Sequence, residues 1–474
     1  MVDLMAPPQA SVAERAARVR FRRALALMAM TLVAPGSAQL VAGNRKVGRI
    51  ALRIWLGSLL VGAVVLVAVV LDRRIAFRMA TDTNLLLVLW LAMIGGAIGW
   101  AALFVDAWRI GNPLSLRIQH RRAMIGLNGV LCFGVAGTLL FGAHLVDIHR
   151  DWVIAVFGDG KVTGAHDGRY NVLLLGGDSG AGRWGLRPDS MTIASIDAKT
   201  GRTVLIGLPR NMANFPFEKG SVMAKQFPHG FDCDGCYLNG VSTWAGDHTD
   251  LFPDSDNPGI DATISAIQGI TDLKINYWAM VNLAGFKQLV DAVGGVTLNV
   301  RQPIPIGGLG DDVTGYVQPG KKKLNGFEAL WFARARDGSD DYSRMARQKC
   351  VLNAMLHQLS PETVLTHFSD LAKASSDMFS TSMPASEASR FIDLALKARS
   401  QKVSTLSLVP PMINTADPDI DLVQRNIQLA IDRSEGDAPP AKKHKKKGVV
   451  TGGSVGSLSD GYAANESDDL SASC

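Results

Sequence analysis

The sequence predicts a helical membrane region followed by a single α/β domain. Apolar residues make up 47% of the 474 residues and are concentrated before about residue 146, as expected for membrane-spanning helices. Apolar runs of strand length then alternate with helical patterns over residues 165–435, which indicates a layered domain of mixed strands and helices. The Pro-, Lys-, Gly- and Ser-rich composition of residues 436–474 predicts a disordered tail.

The membrane region, residues 24–146, contains three to four hydrophobic segments. The first is interrupted by Pro35 and Gly36 and predicts a re-entrant hairpin or a poor span. Three longer segments each have the roughly 20 apolar residues that a membrane span needs, namely residues 48–71, 84–105 and 123–146. Because the apolar runs start late and follow one another, we expect retained membrane segments rather than a cleaved signal peptide.

Basic residues predict the orientation of the chain in the plasma membrane. The loop of residues 106–122 carries four arginines and is expected on the cytoplasmic side, together with residues 1–23. The last span then runs outward, so that residues 147–164 form a linker and residues 165–435 are extracytoplasmic. The prediction is a multi-pass membrane protein.

Secondary structure in the domain follows from periodicity and turn residues. Strands are predicted at residues 170–175, 191–196, 203–208, 277–281 and 296–300. Helices are predicted at residues 260–270, 283–293 and 343–359.

Charged residues collect beside the ends of predicted strands at three places. Asp178 and Asp189 lie between two strands, with Arg187 beside the second aspartate, so both carboxylates are expected to face one cleft. Arg210 follows a third strand. The third group lies at the start of the last predicted helix and before it, and contains Arg334, Arg336, Asp341, Arg344, Arg347 and Gln348.

This collection of side chains suits a diphosphate ligand. Guanidinium groups match phosphate oxygens in bidentate geometry, so several converging arginines would neutralise a diphosphate. Two carboxylates would hold a Mg²⁺ ion that shares its other positions with phosphate oxygens and water, as in phosphoryl-transfer sites. The competing interpretation is solvated or structural ion pairs, and Arg344 and Arg347 would equally suit a solvent-facing stripe.

Other site types have less support. Nucleic-acid binding is not expected, because no basic stripe is interleaved with aromatic residues. Gly176 and Gly177 are not followed by the Gly-Lys-Ser/Thr of a P-loop. Cys233 and Cys236 do not fit the usual zinc spacings, and in an exported domain a disulfide among these two and Cys350 is expected.

Taken together, these motifs resemble the LytR–CpsA–Psr family of cell-wall glycopolymer ligases. The similar stretches occur in family order and are Asn171-Val-Leu-Leu-Leu-Gly-Gly-Asp178, Arg187-Pro-Asp189-Ser-Met, Leu208-Pro-Arg210-Asn, residues 286–296, residues 320–330 and Ala333-Arg-Ala-Arg336 with residues 341–348. The several spans and the insert at residues 231–236 resemble actinobacterial members. Asn211 departs from the family, which usually has an aspartate there.

The resemblance implies an α/β/α sandwich with a central mixed sheet and an apolar tunnel for a lipid. It also implies a Mg²⁺-dependent transferase that moves a glycopolymer from a polyprenyl-diphosphate carrier to a muramic-acid hydroxyl of peptidoglycan, leaving a phosphodiester. The expected Mg²⁺ ligands are Asp178 and Asp189, and Asp189 or Asp341 is the expected general base. The expected catalytic residues are Asp178, Asp189, Arg336 and Asp341. The expected diphosphate contacts are Arg187, Arg210, Arg334, Arg336, Arg344, Arg347 and Gln348.

Two other functions suit the same residues. A polyprenyl-diphosphate-glycan pyrophosphatase would use water as the acceptor, and a non-catalytic scaffolding protein would use its tail or multi-span membrane anchor to recruit wall enzymes. The polymer also stays open between arabinogalactan, a teichoic-like polymer and a capsule-like polysaccharide. The expected partners are the lipid-linked glycan, peptidoglycan and membrane lipid.

Overall fold

The computed structural model describes residues 12–72, 74–156, 161–177, 187–308, 310, 312–358, 379–440 and 465–474. The chain divides into two compact units, Met1–Val153 and Ile154–Cys474. The first six helices, α1 to α6, are Val12–Val33, Ser37–Ala42, Arg45–Leu71, Arg74–Thr81, Thr83–Ile110 and Ile118–Val156. A short 3₁₀ helix, Pro113–Ser115, lies between α5 and α6.

Among the described residues, three helices are long and apolar enough to cross a membrane. They are α3, α5 and the Ile118–Asp151 part of α6, with 27, 28 and 34 residues, and they coincide with the three longer segments predicted from the sequence. Each exceeds the roughly 20 residues that a span needs. The side chains of Asn44 and Asp82 cap the first turns of α3 and α5, which satisfies amides that a helix start leaves free.

The interruption predicted at Pro35 and Gly36 separates α1 from α2. Gly36 has a φ of 93°, a left-handed conformation that glycine adopts readily. A Cβ at this position would lie 2.6 Å from the carbonyl oxygen of Gly48, so glycine also permits the close approach of α3. Gln39 of α2 donates from Nε2 to the carbonyl of Leu103 at 3.0 Å, which ties the short helix to α5.

The second unit contains the strands of the described residues and the remaining helices. The strands are β1 Arg169–Gly177, β2 Pro188–Asp197, β3 Thr203–Leu208, β4 Tyr277–Asn282, β5 Val296–Val300, β6 Ile304–Gly307, β7 Val313–Val317, β8 Gly320–Leu324, β9 Phe379–Thr381, β10 Val403–Ser407 and β11 Glu466–Ser467. The helices are α7 Val222–Gln226, α8 Val241–Asp247, α9 Pro258–Thr271, α10 Leu283–Ala292, α11 Gly326–Arg334, α12 Asp341–Gln358, α13 Ala385–Ala398, α14 Ile420–Glu435 and α15 Leu470–Ser473. Two 3₁₀ helices are Leu238–Gly240 and Thr249–Leu251.

Seven strands form a mixed sheet in the order β11-β10-β3-β2-β1-β4-β9. β1 is parallel to β4 and β3 is parallel to β10, whereas the other neighbouring pairs are antiparallel. The mixed sheet expected from the sequence is thereby confirmed. β5 pairs with β8, and β6 with β7, in two small separate sheets, so the predicted strand at residues 296–300 lies outside the central sheet.

Helices cover both faces of the central sheet. Ile193 and Ile206 are fully buried in a core that includes residues of α9 and α14. Ala194 and Leu205 are their neighbours along the strands and therefore point to the opposite face, where they pack against α12. The domain is thus an α/β/α sandwich, as expected.

The chain end differs from the predicted disordered tail. β11 pairs antiparallel with β10, and Leu470 of α15 is fully buried. Residues 465–474 are therefore part of the folded domain. Their polar composition favours disorder, but pairing with the sheet and burial of a few side chains order this segment. Residues 441–464 lie outside the described residues.

Two disulfides are present among the described residues. Cys233 pairs with Cys236, with Cα atoms 5.1 Å apart. Cys350 of α12 pairs with Cys474, with Cα atoms 5.6 Å apart. The prediction of a disulfide among Cys233, Cys236 and Cys350 is therefore incomplete. It does not include Cys474, which folding brings next to Cys350 although the two are 124 residues apart.

Candidate active site

The candidate site forms at the ends of the central strands of the sheet, on the side where β2 begins and β3 ends. The two strands are antiparallel, so Asp189 near the start of β2 lies beside Arg210, which follows β3. Arg210 donates from Nη1 to Oδ1 of Asp189 at 2.5 Å. β1 ends on the same side, but Asp178, which follows it, lies outside the described residues. The predicted pairing of the two aspartates therefore stays a prediction.

Asp341, the first residue of α12, gathers three guanidinium groups. Its Oδ2 lies 3.0 Å from Nη2 of Arg344. Its Oδ1 lies 3.5 Å from Nε of Arg210 and 3.7 Å from Nη1 of Arg336. We call Arg210, Arg336 and Arg344 the arginine cluster. Its three positive charges exceed the two negative charges of Asp189 and Asp341, so the described part of the site favours an anionic ligand.

The crowding of like charges is visible at Arg336. Partial burial lowers the pKa of its guanidinium, and the nearby charges of Arg210 and Arg344 lower that pKa further. Asp341 and Asp189 act in the opposite direction. A bound anion would relieve this repulsion, because an opposite charge at short range stabilises the protonated guanidinium.

Hydrogen bonds join α12 to the neighbouring elements of the site. Arg344 donates from Nη2 to the carbonyl oxygen of Asp189 at 3.0 Å. Gln348, one turn further along, accepts from Oγ of Ser190 at 2.9 Å and donates to the carbonyl of Ala333 at 3.2 Å. The site face of α12 is therefore held against both β2 and α11.

Arg347 lies elsewhere, which corrects its predicted contact with diphosphate. Its side chain is fully buried, and it donates to the carbonyl oxygens of Phe332 and Ala335 at the end of α11. A helix end leaves such carbonyls without helical partners, so Arg347 caps α11. Burial lowers the pKa of its guanidinium to about 10. The solvent-facing stripe considered for Arg344 and Arg347 is also wrong, since both are buried.

A cleft lined at its charged end by Arg336 and Arg344 of the arginine cluster lies between the sheet and helices α10 to α12. Along α12 its lining changes from Arg344 through Gln348 to Val351 and Leu352. The other apolar residues that line it are Leu174, Leu175, Val281, Leu283, Phe286, Leu330 and Ala333. The cleft thus joins a charged edge to an apolar interior.

The other predicted site residues take different positions. Arg334 lines the cleft, and its guanidinium lies 5.7 Å from the centre of the Trp331 ring. Arg187 is exposed and is not among the residues that line the cleft. Asp340, which is not among the predicted site residues, accepts at Oδ1 from the backbone amide of Ser343 at 2.8 Å and so caps the first turn of α12.

Residues of β4 and α10 line the cleft but are not predicted from the sequence as site residues. Asn282 accepts from the amide of Gly285 at 2.8 Å and begins α10, and Phe286 lies one turn further on. Both line the cleft. Neither carries a charge. Phe286 begins the stretch of residues 286–296 that resembles a family motif, whereas Asn282 lies outside the stretches that resemble the family.

A profile of the LytR_cpsA_psr family matches residues 146–423. The chain belongs to the LytR_cpsA_psr family. The matched range includes the arginine cluster and every element that lines the cleft. The family resemblance inferred from the sequence motifs is therefore confirmed.

Several characterised proteins are similar to this LytR_cpsA_psr chain. Biofilm regulatory protein A of Streptococcus mutans is 28% identical over 243 residues, which are 50% of this chain and 55% of that protein. The polyisoprenyl-teichoic acid–peptidoglycan teichoic acid transferase TagU of Oceanobacillus iheyensis is 30% identical over 199 residues, or 41% of this chain and 53% of that protein. The chain therefore spans about half the length of these curated relatives.

Solved structures are also similar to this chain. Protein gbs0355 from Streptococcus agalactiae has 22% identity and a TM-score of 0.42, and the match covers 56% of this chain and 88% of that chain. TagV from Bacillus subtilis has 20% identity and a TM-score of 0.40, and the match covers 58% of this chain and 100% of that chain.

Proposed function

We propose that this protein transfers a glycopolymer from a polyprenyl-diphosphate carrier to peptidoglycan. The observation that carries the proposal is the cleft, which joins the arginine cluster to an apolar interior. A polyprenyl diphosphate has the same two parts, a diphosphate and a long hydrocarbon tail. The relative TagU of Oceanobacillus iheyensis is named as a transferase of teichoic acid from polyisoprenyl to peptidoglycan, which supports the reaction class.

The physical properties of the cleft suit such a donor. Beyond the charged edge its walls are mostly apolar, as is usual for a ligand pocket. Each methylene of the lipid buried against Val281, Phe286 and Leu330 would contribute about 0.8 kcal/mol. The guanidinium groups of the arginine cluster would bind the phosphate oxygens, so the lipid and the charge are recognised by separate residues.

The proposed reaction is a displacement at the phosphorus that carries the glycan. The muramic-acid hydroxyl oxygen forms a bond to this phosphorus, the bond from phosphorus to the bridging oxygen breaks, and polyprenyl phosphate leaves. The hydroxyl proton passes to a carboxylate, for which Asp189 and Asp341 are the candidates in the described part of the site. The arginine cluster stabilises the negative charge that develops on the phosphate oxygens.

Mg²⁺ is proposed as a cofactor. Asp189 fits this role chemically, because its carboxylate is at the charged edge of the cleft and hard oxygen ligands are those that Mg²⁺ prefers. Asp178 would supply a second carboxylate. When bound, the ion would add positive charge beside the diphosphate. The described residues contain no cluster of three or more acidic, His or Cys side chains that could hold a metal, so substrate oxygens and water would complete its coordination.

The membrane region supports the same function. Its three apolar helices would anchor the protein in the bilayer that holds a polyprenyl donor. The basic loop at residues 106–122 favours the cytoplasmic side, so we propose that the domain acts outside the plasma membrane, where peptidoglycan is the acceptor.

The test uses the full-length chain in lipid nanodiscs with Mg²⁺, a short polyprenyl-diphosphate-linked glycan and soluble peptidoglycan strands. Mass spectrometry of the products should show a glycan–phosphate–muramic linkage. Arg336→Ala should lower kcat by about 10²–10³-fold, as expected when a group that stabilises transition-state charge is removed. Arg425→Ala is a matched control, because it removes an exposed arginine of α14.

The products separate the alternatives. Glycan phosphate released without a linkage would contradict the transferase and favour the pyrophosphatase. Equal loss of turnover in both arginine variants would contradict the assignment of the site to this cleft. Turnover that persists in excess EDTA would contradict the proposed role of Mg²⁺ but not the transferase activity.

A further inference from the structure

The C-terminal segment, residues 465–474, contacts the site helix α12 from the side away from the cleft. Leu470 is fully buried in a core that includes Ala346 and Cys350 of α12. Cys474 forms a disulfide with Cys350. The end of the chain is therefore attached, covalently and by packing, to the helix that carries Asp341 and Arg344 in the site.

Asn465 makes the contact that lies nearest to the site. Its side chain is almost fully buried, and Nδ2 donates to the carbonyl oxygen of Tyr342 at 3.1 Å. Its Oδ1 accepts from Oγ of Ser407 at 2.6 Å, and its backbone oxygen accepts from the amide of Ser407, also at 2.6 Å. Asn465 thereby links the end of β10 to the first turn of α12.

The same network reaches α12 a second time through Lys349. This lysine is fully buried, and its Nζ donates to Oγ of Ser407. Hydrogen bonds thus run from Lys349 through Ser407 and Asn465 to the carbonyl of Tyr342, and connect two positions of α12 about two turns apart. Such a buried network orients its members closely, because each unmade bond would leave a desolvated polar group.

We propose that Asn465 is a positioning residue for the arginine cluster, with the C-terminal segment as its support. Tyr342 directly follows Asp341, the carboxylate on which all three guanidinium groups converge. By holding the carbonyl of Tyr342, Asn465 sets where the first turn of α12 presents Asp341 and Arg344 to a diphosphate. This inference rests on the proposed function, since it assumes that a lipid diphosphate is the ligand.

Asn465→Asp tests the contact with little change in shape. Aspartate can still accept from Ser407, but when ionised it cannot donate to the carbonyl of Tyr342. The full-length chain in nanodiscs is titrated with farnesyl diphosphate and, separately, with farnesol. We expect affinity for the diphosphate to fall about fivefold to tenfold, while affinity for farnesol, which only the apolar lining contacts, stays within about twofold of wild type.

Three further variants make the result specific. Asn465→Ser removes the donated bond without adding a charge and should behave as Asn465→Asp does. Ser471→Ala breaks the hydrogen bond that this segment accepts from Nδ2 of Asn353, far from the first turn of α12, and should bind both probes as wild type does. Arg336→Ala removes a member of the arginine cluster and should lose preference for the diphosphate.

The outcomes distinguish the two proposals. If wild type does not prefer the diphosphate and Arg336→Ala changes nothing, the proposed function fails, and this inference fails with it. If wild type shows the preference and Arg336→Ala removes it while both Asn465 variants keep it, only the positioning role is overturned. If both Asn465 variants lose affinity for both probes equally, the positioning role is also overturned, because that result means that Asn465 only stabilises the fold.

Discussion

Replacing the buried Lys349 with methionine should change how the stability of the domain depends on pH. Burial lowers the pKa of its ammonium group from 10.5 to about 7. In the unfolded chain the same amine stays protonated up to its ordinary pKa. Between about pH 7 and 10.5 the unfolded state therefore binds more protons than the folded state. Stability then rises with pH across this window by about 1.4 kcal/mol per pH unit, and does not change below it.

Lys349→Met lacks this titration but keeps most of the side-chain volume. We expect the variant to be more stable than wild type near pH 7, by up to about 4 kcal/mol. The advantage should disappear by about pH 10, where the lost hydrogen bond to Ser407 costs the variant about 1 kcal/mol. The other titrating groups are common to both chains and cancel in the difference. Urea unfolding of the full-length chain in detergent, followed by tryptophan fluorescence at several pH values, measures both free energies.

Lys321→Met is the control, because it removes an exposed lysine of β8. Its free energy of unfolding should follow the wild-type dependence on pH. Parallel curves for wild type and Lys349→Met between pH 7 and 10 would refute the reasoning. They would mean that Lys349 carries the same charge in the folded and unfolded states.

Four further substitutions test the architecture of the domain and its site. Arg347→Met leaves two buried carbonyls at the end of α11 without their donor and should lower the free energy of unfolding in urea by about 2–5 kcal/mol. Unchanged stability with lost turnover would mean that Arg347 contacts the diphosphate after all. Cys474→Ala removes a disulfide between residues 124 apart and should lower the free energy of unfolding by roughly 5 kcal/mol. Cys236→Ala removes a disulfide between residues three apart and should lower it by roughly 2 kcal/mol. Equal losses of stability would contradict the loop-entropy argument. Leu330→Glu places a carboxylate in the apolar lining and should raise the KM for the lipid-linked donor by at least about tenfold, and an unchanged KM would show that the lipid binds elsewhere.

Local structure is predicted well where it depends on local sequence. β3 and β5 begin and end at the residues predicted from the sequence, 203–208 and 296–300. β3 is a short run of mostly apolar residues and β5 alternates apolar and polar residues, and both patterns are typical of strands. The helix predicted at residues 343–359 is found as Asp341–Gln358. The partner of β5 is not predicted, since pairing with β8 rather than with the central sheet depends on distant residues.

The site shows the same division. Asp189 and Arg210 are expected in one cleft because both flank strand ends, and antiparallel pairing of β2 and β3 brings them together. Arg344 and Arg347 are only three residues apart, yet one contacts Asp341 and the other caps α11. Helical spacing does not separate these roles, because it does not show what packs against each side of the helix.

The long apolar helices, most strands and helices of the domain, and the charged residues from which the site is drawn are predictable from the sequence, because composition and periodicity are local properties of the chain. Three features become visible only in the folded domain: the arginine cluster lies at the mouth of an apolar cleft, Arg347 is buried away from it, and residues 465–474 pack against α12. These features depend on contacts between residues far apart in sequence, which strand register and helix packing create.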